Sequence, residues 1–257
     1  MSIYKELSYS QDVDTIAGIQ FSIMSAEEIK NRSVAEIVST DTFAGNEPII
    51  GGLFDPRMGV IDHNKICQTC EQKNTFCPGH FGHIVLAKPL FYIQFFDTVK
   101  KIMKCICFKC SKLLIDKNQI ELKKILNKKI SRQKKFEAIY KICSKNKIKK
   151  CGNKENETNG CGCSQPDKIT KDTHVGRIIL EWKNKEDKEG DENEDNNLIY
   201  FADDIYRILS RITDEEANII GFPRSINGPE TLICTIFPVP PPAVRPSVRN
   251  DTGQRCE

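Results

Sequence analysis

Four residues in a short stretch of the chain have the types and spacing of a metal site. Cys67 and Cys70 are separated by two residues, and a Cys-Pro-Gly-His run from Cys77 to His80 follows. Two tight turns that each present a pair of such side chains can converge on one tetrahedral ion, about 2.3 Å from each sulfur for zinc. The intervening proline and glycine favour the turn that brings the histidine to the metal. Because four protein ligands leave no place for water, the pattern predicts structural rather than catalytic zinc.

A second cysteine group is more widely spaced. Cys107 and Cys110 are again two residues apart. A chain can leave an ion and return to it much later, so distant cysteines can complete such a site. The later candidates are Cys151, Cys161 and Cys163. The spacing therefore predicts a second four-ligand site without fixing which of them complete it.

Two further cysteines have simpler interpretations. Cys143 falls on the apolar face of a predicted helix, where a small buried hydrophobic residue is expected. Cys105 lies two residues before Cys107 and, like Cys163, is a reserve ligand. A redox sensor built on Cys105, Cys107 and Cys110 is a weaker alternative, because tightly held zinc ions would leave few reactive thiols.

The composition is that of a folded chain that is not exported. It has 257 residues, of which 39% are hydrophobic and 28% charged, enough for one or two domains. No segment approaches the ~18 apolar residues that cross a bilayer, and the start lacks the pattern of a signal peptide. In such a protein cysteines bind metal or catalyse rather than form disulfides. The sequence contains no phosphate-binding loop, nucleophile elbow or zinc-protease histidine pair.

The net charge of +3 conceals a strong asymmetry. Residues 100–150 contain 18 Lys and Arg against three acidic residues, whereas the stretch from 181 to 195 is acidic. A basic block indicates a nearby polyanion, but solvated helical faces would give the same charge pattern.

The elements that position the first cysteine group are predicted from periodicity and capping signals. Ser25 and Glu28 form a capping box that begins a helix. The Gly- and Pro-rich stretch 45–62 is a loop that leads to the cysteines. The other predicted elements are a strand over Ile19–Ile23, a strand over His83–Leu90, a helix over Phe91–Lys104 and a helix that begins at Ser131.

The second half of the chain is predicted in the same way. Polar stretches at 153–159 and 183–197 are loops. Asp203 and Asp204 begin one helix, while a capping box at Thr213 begins another that ends at Gly221. A strand over Thr231–Phe237 runs into a Pro-rich segment, residues 238–242, that should stay outside any sheet. The tail from residue 245 is predicted to be a loop.

Four sequence runs, in order, resemble one protein family. They are Gly-Gly-Leu-Phe-Asp-Pro-Arg-Met-Gly at 51–59, the cysteine pair at 67–70, Cys-Pro-Gly-His-Phe-Gly-His-Ile at 77–84, and Pro-Val-Pro-Pro-Pro-Ala-Val-Arg-Pro-Ser at 238–247. They resemble the N-terminal region of the largest subunit of eukaryotic-type multisubunit DNA-directed RNA polymerase, closest to the RNA polymerase II form. The resemblance spans nearly the whole chain. The Lys-, Asn- and Ile-rich composition is also typical of a large DNA virus or an AT-rich protist.

The resemblance implies an α+β fold, an irregular zinc-stabilised clamp region with short helices and small antiparallel sheets that is part of a larger subunit. Residues 1–100 would form a clamp core segment with the first zinc knuckle, and residues 101–182 the clamp head with the second zinc site. Residues 183–197 would be an acidic mobile loop. Residues 198–257 would return to the clamp core, with a strand, the Pro-rich segment and, from Ser247, the start of the lid. In the family this clamp closes over downstream DNA and the DNA–RNA hybrid.

The resemblance also implies the ligands of two structural zinc ions. The first set is Cys67, Cys70, Cys77 and His80, and the second is Cys107, Cys110, Cys151 and Cys161. Cys161 is chosen because the family places its last ligand just before a Gly-x-x-Gln-Pro run, here residues 162–166. Cys151 competes with Cys143, which also has a family counterpart.

Several basic residues are candidates for nucleic-acid binding. Arg245 and Arg249 are expected near the hybrid. Some of Lys100, Lys101, Lys104, Lys134 and Lys135 are expected to face nucleic acid or a neighbouring subunit, although solvation is the simpler interpretation for any single lysine.

The family's catalytic Asn-Ala-Asp-Phe-Asp-Gly-Asp motif is absent from this sequence. Magnesium is therefore expected only in the rest of the subunit, and the chain alone should be inactive as a nucleotidyltransferase. Expected partners are the remainder of the largest subunit, the second-largest and smaller subunits, the DNA template and the hybrid, with no membrane. The expected location is the nucleus if the protein is cellular, and the virion or host cell if it is viral. The alternative is a free-standing structural zinc module that binds nucleic acid or protein.

Overall fold

Short helices and small sheets make up the part of the chain that the computed structural model describes, residues 16–19, 21–45, 47–117, 119–146, 148–152, 160–182, 197–249 and 255–256. The helices are α1 (Ala26–Arg32), α2 (Phe96–Cys105), α3 (Ile120–Leu126), α4 (Arg132–Asn146), α5 (Ala202–Ser210) and α6 (Asp214–Ile220). The strands are β1 (Ala35–Glu36), β2 (Phe43–Ala44), β3 (Glu47–Pro48), β4 (Gly82–Phe91), β5 (Lys168–Asp172), β6 (Arg177–Glu181), β7 (Asn197–Tyr200), β8 (Ile233–Val239), β9 (Val248–Arg249) and β10 (Arg255–Cys256). The predicted α+β class is confirmed.

The strands form two three-stranded sheets and two short ribbons. In the first sheet, β4 pairs parallel with β1 and antiparallel with β8. In the second, β5, β6 and β7 are antiparallel neighbours. The ribbons are β2–β3 and β9–β10. The first sheet thus joins early and late parts of the chain.

The main core lies between the helices and the second sheet. The buried faces of α2, α4, α5 and α6 meet there. Its fully buried side chains include Val99, Ile102, Ile139, Ile178, Leu180, Ile205 and Leu209. A smaller cluster of Ala35, Ile37, Met58 and Val239 lies beneath the first sheet.

Helix ends follow the predicted capping signals. The Ser25 hydroxyl accepts from the Glu28 backbone N–H, and Glu28 accepts from the Ser25 N–H, which completes the predicted box. Thr213 caps α6, and Gly221 ends it in the left-handed conformation with φ of 99°. The predicted strand over His83–Leu90 is confirmed as β4, one residue longer at each end. The ends of these helices could be predicted from the sequence because residues close in sequence form the hydrogen bonds that cap them.

The predicted helix over Phe91–Lys104 begins later than expected. Phe91 is the last residue of β4, where it pairs with Ile233, and a 3-10 turn precedes α2. The Phe91 ring stacks on Phe96 with centroids 4.5 Å apart. Apolar spacing continues across the strand–helix junction, which is why periodicity did not reveal it.

The predicted strand over Ile19–Ile23 is wrong, because residues 16–19 and 21–25 contain no strand. The Asn227 side chain takes the place of a strand partner. Its oxygen accepts from the Ile23 N–H at 3.0 Å, and its amide donates to the Ile23 carbonyl at 2.5 Å. A distant side chain therefore forms hydrogen bonds with the Ile23 backbone. The alternating sequence pattern had suggested that a neighbouring strand would do so.

The Pro-rich segment, residues 238–242, was predicted to stay out of sheets, and this is wrong for its first two residues but holds for residues 240–242. Pro238 pairs with His83, and Val239 pairs with Gly82, inside the first sheet. Because β8 is an edge strand, a missing N–H on its open side costs no ladder hydrogen bond. The tail predicted as a loop contains the β9–β10 ribbon. The predicted loop at 153–159 and most of the acidic loop, residues 183–196, lie outside the described residues, and Asn197 begins β7.

Candidate metal centres

The first cysteine pair lies on a tight turn that we call the first knuckle, residues 66–73. The Cys67 N–H donates to the Gln72 carbonyl at 3.0 Å, and the Glu71 N–H donates to the Cys67 carbonyl at 2.9 Å. Ile66 and Lys73 form a β-bridge across its base. Glu71 closes the turn with φ of 56°, a left-handed conformation that L-residues adopt at a cost. The turn directs both thiols to the same side.

The Cys-Pro-Gly-His run brings the other two donors to the first knuckle. Gly79 turns the chain with φ of 80°, and a Cβ there would lie 2.7 Å from a Pro241 side-chain atom. The His80 N–H then donates to the Met58 carbonyl at 2.9 Å. The Cys77 Sγ lies 3.8 Å from His80 Nε2. Together with Cys67 and Cys70, all four donor atoms lie within 4.8 Å of one another.

The loop beneath the first knuckle is organised by one buried carboxylate. Asp55 is fully buried and accepts from the Gly51 N–H at 2.6 Å and the Arg57 N–H at 2.9 Å. The Arg57 guanidinium also donates to Asp55. The Arg57 carbonyl in turn accepts from the Thr69 hydroxyl at 2.6 Å, inside the knuckle. The Gly-Gly-Leu-Phe-Asp-Pro-Arg-Met-Gly run is therefore the support of the first cysteine group.

The second knuckle, residues 106–113, repeats the backbone of the first. The Cys107 N–H donates to the Lys112 carbonyl at 2.8 Å, and the Ser111 N–H donates to the Cys107 carbonyl at 2.9 Å. Ile106 and Leu113 form the bridge, and Ser111 has φ of 61°. Glu71 and Ser111 are the only described non-glycine residues with positive φ. Two unrelated sequences thus adopt the same turn because each has the Cys-x-x-Cys spacing.

A second turn returns the chain to this knuckle. The Cys151 N–H donates to the Cys163 carbonyl, and the Gly162 N–H donates to the Cys151 carbonyl, both at 2.9 Å. The Sγ atoms of Cys107 and Cys161 lie 3.6 Å apart, as do those of Cys110 and Cys151. All four Sγ atoms lie within 4.8 Å of one another.

The donor sets fit tetrahedral metal sites. Zinc–sulfur bonds of about 2.3 Å place neighbouring sulfurs about 3.8 Å apart, close to the separations seen in both groups. A disulfide would need sulfurs about 2.05 Å apart, and every cysteine whose side chain is described is free. Two cysteine-rich groups could therefore each hold one metal ion.

Hydrogen bonds prepare one exposed thiol of the second group for metal binding. Burial alone would raise the pKa of Cys161, but hydrogen bonds from the Cys163 backbone N–H and the neighbouring thiols outweigh it and lower this pKa to about 7. In the first group, burial raises the pKa of Cys77 to about 11. A cysteine binds a metal ion as its thiolate, so metal binding at Cys77 displaces a proton and weakens as the pH falls.

Two supporting residues were not identified from the sequence. Gln165, which is 7% exposed, donates its amide to the Cys107 Sγ at 3.2 Å and to the Cys163 carbonyl at 3.1 Å. The buried Glu216 carboxylate accepts from the Leu113 N–H at 3.1 Å and thereby joins the second knuckle to α6. The position of Gln165 in the Gly-x-x-Gln-Pro run could have indicated its role beside the second cysteine group. No local sequence pattern indicates the role of Glu216.

The remaining candidate cysteines lie outside both groups. Cys143 and Cys105 are buried and hydrogen-bonded to each other, between α4 and α2. The Cys163 thiol donates to the Ser164 carbonyl at 3.7 Å, and Cys163 contributes its backbone carbonyl to the second turn. The ligand assignment itself stays a prediction that metal analysis must test.

One of the two predicted nucleic-acid arginines has side-chain partners within the fold. The Arg245 guanidinium donates to the carbonyls of Leu53 and Pro240 and lies over the Phe54 ring, 4.9 Å from its centroid. These contacts tie the Pro-rich segment to the loop under the first knuckle. Only the backbone of Arg249 is described, in β9. Contact of either arginine with nucleic acid stays a prediction.

The candidate lysines differ in exposure. The ammonium groups of Lys101 and Lys104 each lie 5.8 Å from the Tyr140 ring centroid. Lys135 donates to the Leu126 carbonyl at 3.0 Å. Lys134 is exposed and Lys100 half-buried.

Substitutions at Glu71 test the left-handed turn. Because its side chain is exposed, a change there reports on the backbone rather than on packing. We expect Glu71→Val to lower the free energy of unfolding by about 1–2 kcal/mol relative to Glu71→Gly, since a β-branched residue resists positive φ. Glu71→Asn removes the charge but tolerates the turn, and should unfold like the wild type. Urea denaturation measures all three, and equal stability of the valine and glycine variants would contradict the turn geometry.

The model of the family described as RNA polymerase Rpb1, domain 1, matches residues 13–257. Among the described residues, no helix is both long and apolar enough to span a bilayer.

Proposed function

The chain belongs to the RNA polymerase Rpb1, domain 1 family, the N-terminal region of the largest subunit of DNA-directed RNA polymerase, and from this membership we propose that it forms the clamp that holds DNA and the DNA–RNA hybrid. The single observation that carries this proposal is the family match over residues 13–257, with both cysteine groups inside the matched range. RNA polymerase activity belongs to the assembly. We expect the isolated chain to be inactive because the aspartate motif that would bind magnesium is absent from its sequence.

We further propose that both metal ions are structural zinc. The ligands would be Cys67, Cys70, Cys77 and His80 for one ion, and Cys107, Cys110, Cys151 and Cys161 for the other. Three thiolates with one imidazole, or four thiolates, are typical donor sets of closed zinc sites. Zinc would bind the knuckles and the later turns into rigid units. A clamp built in this way can move as a body about a hinge instead of melting locally.

The charge distribution supports a role in holding nucleic acid. The α3–α4 region carries a set of exposed basic residues: Lys123, Lys124, Lys128, Lys129, Arg132, Lys134, Lys141 and Lys145. Lys and Arg neutralise phosphates without reading sequence, and such contacts allow a protein to slide along DNA. This is the kind of binding that a processive enzyme needs. The proposed location follows the assembly: the nucleus in a cellular host, and the virion or host cell for a virus.

The proposal is tested by isolating the tagged chain from the cells in which it is made. Mass spectrometry should find the second-largest polymerase subunit, smaller subunits and a polypeptide bearing the aspartate motif. The control is an unrelated zinc protein of similar net charge that carries the same tag. It should recover none of these polypeptides. Recovery of the chain without any polymerase subunit would contradict the proposal and favour the free-standing zinc module.

A further inference from the structure

An open cavity of about 650 Å³ lies where the second knuckle, the end of β7 and α5 meet. Its walls combine two kinds of side chain that neither the metal sites nor the clamp function requires there. The aromatic residues are Phe108, Tyr200 and Tyr206, and the basic residues are Lys109, Arg207 and Arg211. The rest of the lining is Ile208, Ser210 and one acidic residue, Asp204, and its surface is mainly apolar.

The second knuckle supplies two of these residues directly. Phe108 and Lys109 are the two residues between Cys107 and Cys110. The Phe108 ring is held edge-on by Trp182, with centroids 5.6 Å apart, and lies 6.4 Å from the Tyr200 ring. All three aromatic residues of the cavity are only partly buried, so ring surface remains accessible. A metal ion in the second group would therefore fix one wall of the cavity.

The charges at the cavity favour an anion. Arg207 is paired with Asp203 at 2.8 Å, and Asp204 accepts from the Phe201 N–H at the start of α5. Within the part of the chain that the structure describes, the side chains of Lys109 and Arg211 make no hydrogen bond or ion pair. Two exposed cations without a side-chain partner thus line the cavity together with the aromatic residues.

We propose that this cavity binds one nucleotide unit of a single-stranded nucleic acid. The base stacks on the accessible rings of Tyr206 and Phe108, and the adjoining phosphate contacts Lys109 and Arg211. Base–aromatic stacking combined with basic residues is the general way in which proteins hold single strands. Duplex DNA keeps its base faces stacked inside, so it satisfies the cations but not the rings. The site goes beyond the proposed clamp function and does not depend on it.

The fluorescence of Trp182 provides the measurement. It is the only tryptophan of the chain and contacts Phe108, so a base entering the cavity changes its surroundings. The full zinc-loaded chain is titrated with an oligothymidylate of about ten nucleotides, a length within the range of single-strand sites. A duplex of the same length and a polyglutamate peptide are titrated in parallel. We expect a saturable signal with the single strand, and a clearly weaker response to the other two probes.

Variants separate stacking from general charge. Tyr206→Ala should weaken single-strand binding about tenfold, the size expected for loss of one stacked base, while Tyr206→Phe should bind like the wild type. Arg211→Gln should weaken binding and reduce its salt dependence. Lys30→Gln removes an exposed charge from α1, which does not line the cavity, and should leave the Trp182 response unchanged. Zinc content and circular dichroism of each variant show that the fold is retained.

Three outcomes would overturn the proposal. The first is equal affinity for duplex and single strand with no effect of Tyr206→Ala, which would leave only general attraction to phosphates. The second is preferred binding of polyglutamate, which would make the cavity a site for acidic protein segments. The third is an absence of any single-strand response in a chain with full zinc content. None of these results depends on whether the tagged chain recovers polymerase subunits, so the two proposals fail separately.

Discussion

Replacing Cys77 by serine is expected to lower the metal content of the purified chain from two zinc ions to one. A serine hydroxyl is a poor zinc ligand, and the three remaining donors, which lie within 4.8 Å of one another, then form an incomplete site. Structural zinc contributes on the order of 10 kcal/mol to folding of the segment that binds it. The loops of the first cysteine group should therefore unfold, and proteolysis within residues 66–80 should become rapid. Elemental analysis by mass spectrometry measures the metal content.

Two cysteines outside the groups serve as matched controls. Cys234 is buried in β8, where its thiol lies 3.4 Å from the Ile236 carbonyl, and Cys143 is buried beside Cys105. We expect Cys234→Ser and Cys143→Ser to retain two zinc ions even if they lower stability. If Cys77→Ser retained both ions, the assignment of the first site would be wrong. If Cys143→Ser lost one, the second site would use Cys143 instead of Cys151.

The convergence of the cysteine groups could be predicted because the decisive geometry is local. A Cys-x-x-Cys pair needs only the turn between its ends, and the two knuckles show the same hydrogen bonds with different residues between the cysteines. The choice among Cys151, Cys161 and Cys163 was different in kind. The thiols of Cys151 and Cys161 converge with those of the second knuckle next to a β-bridge between Lys150 and Ser164. Spacing alone carries no information about that register.

The supports of the sites could not be predicted because they act over long separations. Glu216 reaches Leu113 across 103 residues of sequence, and Asn227 reaches Ile23 across 204. The same limit applies to Arg245, whose motif suggested nucleic acid but whose guanidinium contacts Leu53 and Phe54. A basic residue in a recognised motif can be retained for packing as well as for binding.

Secondary structure could be predicted where capping chemistry marked a boundary. α1 and α6 begin at hydroxyl caps and were identified, whereas α3 has Gln119 at its N-cap with no side-chain hydrogen bond and was missed. The entry of Pro238 into β8 also escaped prediction, because only the sheet order shows that the strand lies at an edge. Boundaries set by tertiary pairing leave no local signal.

Asp55→Asn is expected to lower the free energy of unfolding by about 3 kcal/mol. The carboxylate is fully buried and accepts hydrogen bonds from the Gly51 and Arg57 backbones and from the Arg57 side chain. An amide of the same size keeps the shape but turns one acceptor into a donor that faces other donors, which leaves buried groups unpaired. Urea denaturation at neutral pH measures the loss. Asp41→Asn, an exposed change in the same region, should stay within about 0.5 kcal/mol of the wild type.

The same substitution should also loosen the first metal site. Asp55 holds the loop whose Arg57 and Met58 carbonyls accept from Thr69 and His80. When that loop relaxes, Cys67 and His80 lose part of their fixed position, so a chelator should remove the first zinc faster while the second stays bound. Loss of both ions at equal rates would show instead that the effect of Asp55 is global.

The pH dependence separates the charge of Asp55 from its shape. Burial alone would raise the pKa of Asp55, but hydrogen bonds from the Arg57 side chain and the Gly51 and Arg57 backbones outweigh it and lower this pKa. A carboxyl group with a lowered folded-state pKa stabilises the fold above its unfolded pKa of about 4, and this stabilisation is lost as the pH falls through the folded value. The stability difference between the wild type and Asp55→Asn should thus be full at neutral pH and shrink on acidification below about pH 4. Because the substitution also loosens the first metal site, zinc content is measured at each pH and only samples with equal zinc content are compared. A gap that stayed constant with pH would mean that Asp55 acts through its shape and not its charge.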